Sequence, residues 1–131
     1  MVIVIDLPPK PKGRPRFTKN GFAYTPSETR DYEDAVKMLA RIAVKRPLTR
    51  PIKMDITFYL PIPKSWSKTK IEAAKQGTVR PTSKPDLDNL CKAILDALND
   101  GIGYIDDKQI VELSARKLYG EPKTVIEMEE L

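Results

Sequence analysis

The sequence predicts an α/β (α+β) fold, a single small domain in which helices pack on a mixed β-sheet. Three observations carry this. The chain has 131 residues, the size of one domain with one modest core. Ile52, Met54, Ile56 and Phe58 alternate with Lys53, Asp55, Thr57 and Tyr59, the period of a half-buried strand. Leu87, Leu90, Cys91, Ile94, Leu95 and Leu98 recur at helical spacing and form one apolar stripe. Hydrophobic residues make up 40% and charged residues 31% of the chain, a balance that argues against wholesale disorder.

The elements follow in order. Val2–Ile5 is β-branched and reads as a strand. Residues 8–16 are rich in Pro and basic side chains and cannot form a helix. They make a basic arm, and with the hairpin that Asn20-Gly21 signals the unit covers about 8–25. Phe17, Phe22 and Tyr24 either pack to support that hairpin or stack on a base, and packing is the simpler reading. Thr25, Pro26 and Glu28 form a helix start with a capping box. That helix runs to about Lys45, with Tyr32, Ala35, Val36, Leu39, Ile42 and Ala43 on its apolar stripe, and Pro47 ends it. Lys53–Leu60 is a strand stopped by Pro61 and Pro63. Ser67 caps a short helix from Lys68 to about Gln76, closed by Gly77, with Trp66 as the anchor at its start. Thr78 to Pro85 is a loop. A helix covers about 86–100 and ends at Gly101 and Gly103; Cys91 on its leucine face is a buried small hydrophobe. Ile110–Tyr119 and Thr124–Met128 are two antiparallel strands turned at Gly120-Glu121-Pro122. No repeat or linker interrupts the chain, so residues 1–131 are expected to be one domain.

Composition excludes several chemistries. There is no His and only one Cys. No His-dependent base, His metal ligand, intrachain disulfide or Cys-rich zinc site is available. Catalysis must rest on carboxylates, Lys, Arg, Tyr or hydroxyls. The longest apolar run, Met1–Ile5, is far short of a membrane span, and a cytoplasmic protein with no membrane partner is expected.

The net charge of +5 is unevenly spread. Residues 1–53 hold 12 Lys/Arg against 5 Asp/Glu, residues 54–85 hold 6 against 2, and residues 86–131 hold 5 against 11. A basic body meets polyanions. Clustered acids in such a protein repel phosphate unless a divalent cation sits between them. The bland alternative is that acids and bases pair within the fold.

The acids gather in Asp86-Leu87-Asp88-Asn89-Leu90-Cys91-Lys92 and its continuation to Asp96, with Asp106-Asp107 beyond the glycine turn. Asp88, Lys92 and Asp96 lie opposite the leucines. If the turn folds back, three carboxylates converge, and oxygen-only ligands suit Mg²⁺ or Mn²⁺. Such a cluster positions water and balances charge on a phosphodiester, while a Lys one turn along steadies the phosphate. The alternatives are structural: Asp86 is an N-cap, Asp88–Lys92 and Lys92–Asp96 are surface pairs worth about 0.2–0.5 kcal/mol each, and Asp106-Asp107 is a turn.

The pattern Asp86-Leu87-Asp88-Asn89-Leu90, then Lys92 and Asp96, then Asp106-Asp107-Lys108-Gln109, resembles the RusA family of Holliday junction resolvases, as do Pro8-Pro9 and the strand-loop order before Asp86. The resemblance covers most of the chain. It implies a small dimeric endonuclease dependent on Mg²⁺ or Mn²⁺, often carried by phages or prophages. Such enzymes act in DNA recombination and repair, cutting four-way junctions by paired symmetric nicks. It implies that Asp86, Asp88 and Asp107 are the metal-binding aspartates and that Lys92 is the catalytic lysine. Asp106 then serves the fold or steadies the ligands. Lys10, Lys12, Arg14, Arg16 and Lys19 would contact DNA phosphates, although Lys10-Pro11-Lys12-Gly13-Arg14-Pro15-Arg16 departs from the better-known members and individual roles do not transfer. A nearly two-fold junction calls for a C₂ homodimer. Three alternatives remain at this point: a nuclease of other branched DNA such as flaps and forks, a DNA-binding protein that cuts nothing, and a hydrolase of small phosphorylated molecules. The basic arm argues against the last.

Overall fold

A computed structural model describes residues 1–13, 16–24 and 27–131, with Arg16 and Tyr24 described as backbone only. In chain order the elements are β1 (Val2–Ile5), β2 (Arg16–Phe17), β3 (Ala23–Tyr24), α1 (Ser27–Ala43), β4 (Ile52–Leu60), α2 (Lys68–Lys75), α3 (Leu87–Leu98), β5 (Ile110–Tyr119) and β6 (Lys123–Glu130). Four strands make a mixed sheet in the order β1–β6–β4–β5, and β2 pairs with β3 separately. The α+β class read from the sequence is the class observed.

β4 organises the sheet. Ile52, Met54, Ile56, Phe58 and Leu60 are all buried, while Lys53 is exposed and Asp55, Thr57 and Tyr59 are half-buried on the opposite face. The buried face joins Val36 and Ala40 of α1 and Leu90, Ile94 and Leu98 of α3 in one core. Each such side chain contributes about 1.5–3 kcal/mol when taken fully out of water. On the open face Arg116 donates to Asp55 at 2.6 and 2.9 Å and to Thr57 at 2.7 Å, so the central strand is laced to its parallel neighbour.

The last two strands depart from the expected turn-linked neighbours. They do run antiparallel, but β4 lies between them, parallel to β5 and antiparallel to β6. The most continuously buried strand takes the centre, where it has partners on both edges. The link crosses the end of β4, where Gly120 N–H donates to the Leu60 carbonyl at 2.9 Å. A Cβ on Gly120 would stand 3.0 Å from the Tyr59 ring, which explains the glycine.

Two local signals are adjusted, and one lies outside the described residues. The hairpin loop is a turn closed by Gly21 N–H to the Thr18 carbonyl at 3.0 Å. Only Gly21 has positive φ, at 83°, so the Asn20-Gly21 pair makes a type I turn with a glycine bulge and not a two-residue loop. Thr25 and Pro26, the expected cap of α1, lie outside the described residues. The buried stripe of α1 is Thr29, Tyr32, Glu33, Val36 and Ala40, whereas Ile42 is 74% exposed and Ala43 is exposed. Spacing through 29, 32/33, 36 and 40 aims that stripe at the sheet and leaves Ile42 on the far side. α2 is capped by Ser67, whose hydroxyl accepts from Lys70 N–H at 3.3 Å. Trp66 packs edge-on against Tyr119 with ring centroids 5.1 Å apart, tying the start of α2 to β5. α3 ends at Leu98, and Asp100 and Gly101 at φ 57° and 88° reverse the chain.

Candidate active site: an acidic cleft beside α3

The first site residues stand at the start of α3. Asp86 occupies the N-cap position with extended backbone (φ −71°, ψ 140°), yet its side chain makes no capping hydrogen bond. Its carboxylate is therefore not spent on the helix. Asp88 lies in the first turn, where the helix dipole favours an acid. Lys92 is exposed one turn on, 3.9 Å from Asp96, as a surface i,i+4 pair.

The second acidic pair is placed by the turn after α3. Tyr104 is fully buried and its hydroxyl donates to the Leu95 carbonyl at 2.8 Å. Asp106 caps the single 3-10 turn Asp107–Gln109 by accepting from Lys108 N–H at 2.9 Å. The Gln109 amide oxygen accepts from the Ile105 and Asp106 N–H groups at 2.9 Å each, completing a capping box. Its amide nitrogen donates to the Leu48 and Arg50 carbonyls at 2.9 and 3.1 Å. Asp106 thus spends one carboxylate oxygen, and Gln109 its whole amide, on backbone, and the neighbouring Asp107 is left exposed.

Asp88, Lys92, Asp96 and Asp107 line one open cleft of about 630 Å³ between α3 and β5. Its apolar wall is Leu87, Cys91, Leu95, Leu113 and Ala115. Asp86 opens on a different hollow, with Lys12, Lys84 and Asn89. The structure thus places Asp88, Asp107 and Lys92 on one cleft and Asp86, at the start of the same helix, on another hollow. Among the described residues, no three acidic or thiol side chains stand close enough to hold one ion as a group.

The electrostatics are those of gathered anions. Hydrogen bonding and charge from Asp106, then the charge of Asp96, push the Asp107 carboxyl up from its ordinary value. Backbone hydrogen bonding from Lys108 holds Asp106 below its own. Burial, and then the charge of Asp88, push the Cys91 thiol up, so it stays a neutral hydrophobe. Among the described residues Asp86, Asp88 and Asp107 make no ion pair, whereas Asp96 pairs with both Lys12 and Lys92. Oxygen donors without His are of the type that suits a hard divalent cation and not zinc or copper, although the described carboxylates are not gathered into one ligand group.

The basic arm is only partly free. Lys12 donates to Glu33 at 2.6 Å and pairs with Asp96 at 3.1 Å. Burial alone would lower its pKa, but the hydrogen bonds and charges of the two carboxylates outweigh that and hold it above the ordinary value. Lys12 N–H also donates to the Asn89 carbonyl at 3.0 Å, so this lysine staples the arm to α1 and α3. Lys10 and Lys19 are exposed. Arg14, and the side chain of Arg16, lie outside the described residues. Phe17 and Phe22 are 69% and 70% exposed. Packing does not account for these two rings, because a two-stranded hairpin on an arm has no second layer to cover them. Sequence reasoning left Asp96 without a site role, although its i,i+4 spacing from Lys92 was visible; the coupling of Lys12 to Glu33 and Asp96 had no local signal.

An acidic cleft with a lysine on its wall thus lies beside α3. The family model described as Endodeoxyribonuclease RusA matches residues 6–129. The chain belongs to the RusA endodeoxyribonuclease family and is a nuclease. It is 41% identical over 125 residues to the uncharacterized protein YqaN of Bacillus subtilis (strain 168), a match covering 89% of this chain and 86% of that protein. It is 40% identical over 81 residues to the crossover junction endodeoxyribonuclease rusA of Lactococcus phage r1t, covering 60% of this chain and 53% of that protein. No helix of the described residues is long and apolar enough to cross a membrane.

Proposed function

We propose that this protein is a divalent-metal-dependent endodeoxyribonuclease that resolves four-way DNA junctions by paired symmetric phosphodiester cuts. The observation that carries the reading is the convergence of Asp88, Asp107 and Lys92 on one open cleft in a chain of this family. Asp86, Asp88 and Asp107 would hold Mg²⁺, or Mn²⁺ in its place. The ion, when bound, supplies a more acidic water and electrostatic stabilisation of the phosphorane-like charge. Lys92 offsets the charge that builds on the phosphate. Lys12 keeps Asp96 engaged, so that acid adds less free negative charge to the cleft. Lys10 and Lys19, with Arg14 and Arg16, would contact backbone phosphates, giving affinity without sequence information.

Two cuts need two sites, and a homodimer supplies them with matching symmetry. β5 supports this, because it is an edge strand bonded only to β4 and exposes Val111 and Leu113. Antiparallel pairing of β5 with a second copy about Ser114 sets Glu112 of each copy against Arg116 of the other. Within one copy Arg116 already pairs with Asp55 and Glu112 with Lys53, so the join makes one alternating row of charge. The same register sets Leu113 against Ala115, joining the apolar walls of the two clefts.

The test is cleavage of a synthetic four-way junction, a flap and a linear duplex, with Mg²⁺ and with chelator. The junction is cut in preference and only with metal. Asp86→Asn and Asp107→Asn lose cleavage while junction binding survives. Equal cutting of all three substrates would overturn the resolvase reading; normal rates in either variant would overturn the ligand assignment.

A further inference from the structure

We propose that Lys117 is a positioning residue for the metal site, its ammonium clamping the loop that delivers Asp86. The inference rests on Asp86 being a metal ligand, as proposed above. Lys117 lies on β5 opposite Phe58, on the face of the sheet that the helices cover. Its Nζ donates to the Ser83 carbonyl at 3.1 Å and to the Pro85 carbonyl at 2.9 Å. The two acceptors bracket Lys84, and the second immediately precedes Asp86. Among the described residues no backbone N–H reaches either carbonyl, and Lys117 makes no ion pair. A full positive charge is therefore spent on two peptide oxygens.

This matters because the Asp86 carboxylate makes no bond of its own to the helix. Where it stands is set by the backbone that carries it. That backbone is tethered on its N-terminal side by the Lys117 clamp and on its C-terminal side where the Asp86 carbonyl accepts from Leu90 N–H at 3.1 Å and the Asn89 carbonyl from Lys12 N–H at 3.0 Å. Asp107 reaches the cleft from the turn that leads into β5. Lys117, further along the same strand, fixes the other half of the acid set. One strand thus governs the separation of two proposed ligands that lie on different segments.

Groups that orient metal ligands cost about 10–100-fold in metal affinity or activity when removed. Lys117→Met keeps the aliphatic stem and deletes the donors. Its expected effect is a rise of that size in the Mg²⁺ concentration for half-maximal cleavage, and a matching loss of Mn²⁺ affinity by calorimetry without DNA. Junction affinity in the presence of chelator stays within about twofold of the starting protein. Lys117→Arg, which can span both carbonyls, recovers most of the metal affinity. Lys75→Met, on the exposed end of α2, serves as the control for loss of one surface charge. If Lys117→Met does not fold by circular dichroism, Lys117→Gln, with a neutral donor, carries the same expectations. Unchanged Mn²⁺ affinity overturns the proposal, and so does a loss confined to junction binding, which would make Lys117 a phosphate contact. If Asp86→Asn binds Mn²⁺ as the starting protein does, the ligand assignment itself has failed. If Asp86→Asn loses the metal while Lys117→Met keeps it, only the clamp is refuted.

Discussion

Gln109 makes four hydrogen bonds with one side chain, two to N–H groups of the turn that presents Asp107 and two to carbonyls of the segment before β4. It is the bolt between the acidic turn and the rest of the sheet. Gln109→Ala leaves two turn amides and two carbonyls without these partners, and an unsatisfied group costs about 1–3 kcal/mol where water does not replace it. Urea unfolding should show a loss of about 1–3 kcal/mol, and the turn amides of Asp106 and Lys108 should exchange hydrogen faster. A stability unchanged from the starting protein would show that water takes over all four bonds. At this scale the sequence was legible for type and not for partner. Asp106 and Asp107 are adjacent and look alike on the page, yet one caps a turn and the other faces the cleft. The difference depends on Leu48 and Arg50, some sixty residues away, and the ties of Lys12 to Glu33 and Asp96 likewise have no local signal.

The hairpin β2–β3 shows what an element can hold in reserve. Its Phe17 and Phe22 rings lie open, so truncating either should leave stability within about 0.5 kcal/mol. If these rings stack on bases in an opened junction, each Phe→Ala change weakens junction binding by about 1–3 kcal/mol with no change in salt dependence. Titration at two ionic strengths separates this from lost phosphate contacts, which reduce the log–log slope by about one each. Unaltered junction affinity in both variants would leave the rings without a role in binding. Periodicity made the long elements legible, because β4 and α3 each bury one face and write that into the spacing of their apolar residues. The order of strands was not written locally. Gly120-Glu121-Pro122 reads as a simple turn, and only the width of β4 beneath it makes it a bridge between strands that do not touch.

For the whole molecule the open question of chemistry is how one cleft becomes two. The β5 edge makes the dimer testable without disturbing the cleft acids. Val111→Lys places a charge on an exposed edge position outside the cleft, a device that blocks strand addition. In sedimentation velocity it should run as a monomer at concentrations where the starting protein is a dimer, and on a junction it should give single nicks in place of paired cuts. A Val111→Lys protein that remains dimeric and cuts in pairs would place the interface elsewhere. The cleft's composition was legible in outline, since a His-free chain with acids crowded into its last third has few other ways to do phosphate chemistry. Its depth was not, because Leu113 and Ala115 come from a strand whose position beside α3 follows from a long crossover.

One topological fact reaches beyond the site. β1 has a single partner in the sheet, β6, with Val4 set against Val125. The first strand of the domain therefore stays unpaired until the last strand is available. The sheet cannot close on a partial chain, and the loop-closure entropy of that pairing is met only at the end. Loss of β6 should thus remove two strand pairings at once, those with β1 and with β4, and with them the frame that carries the cleft.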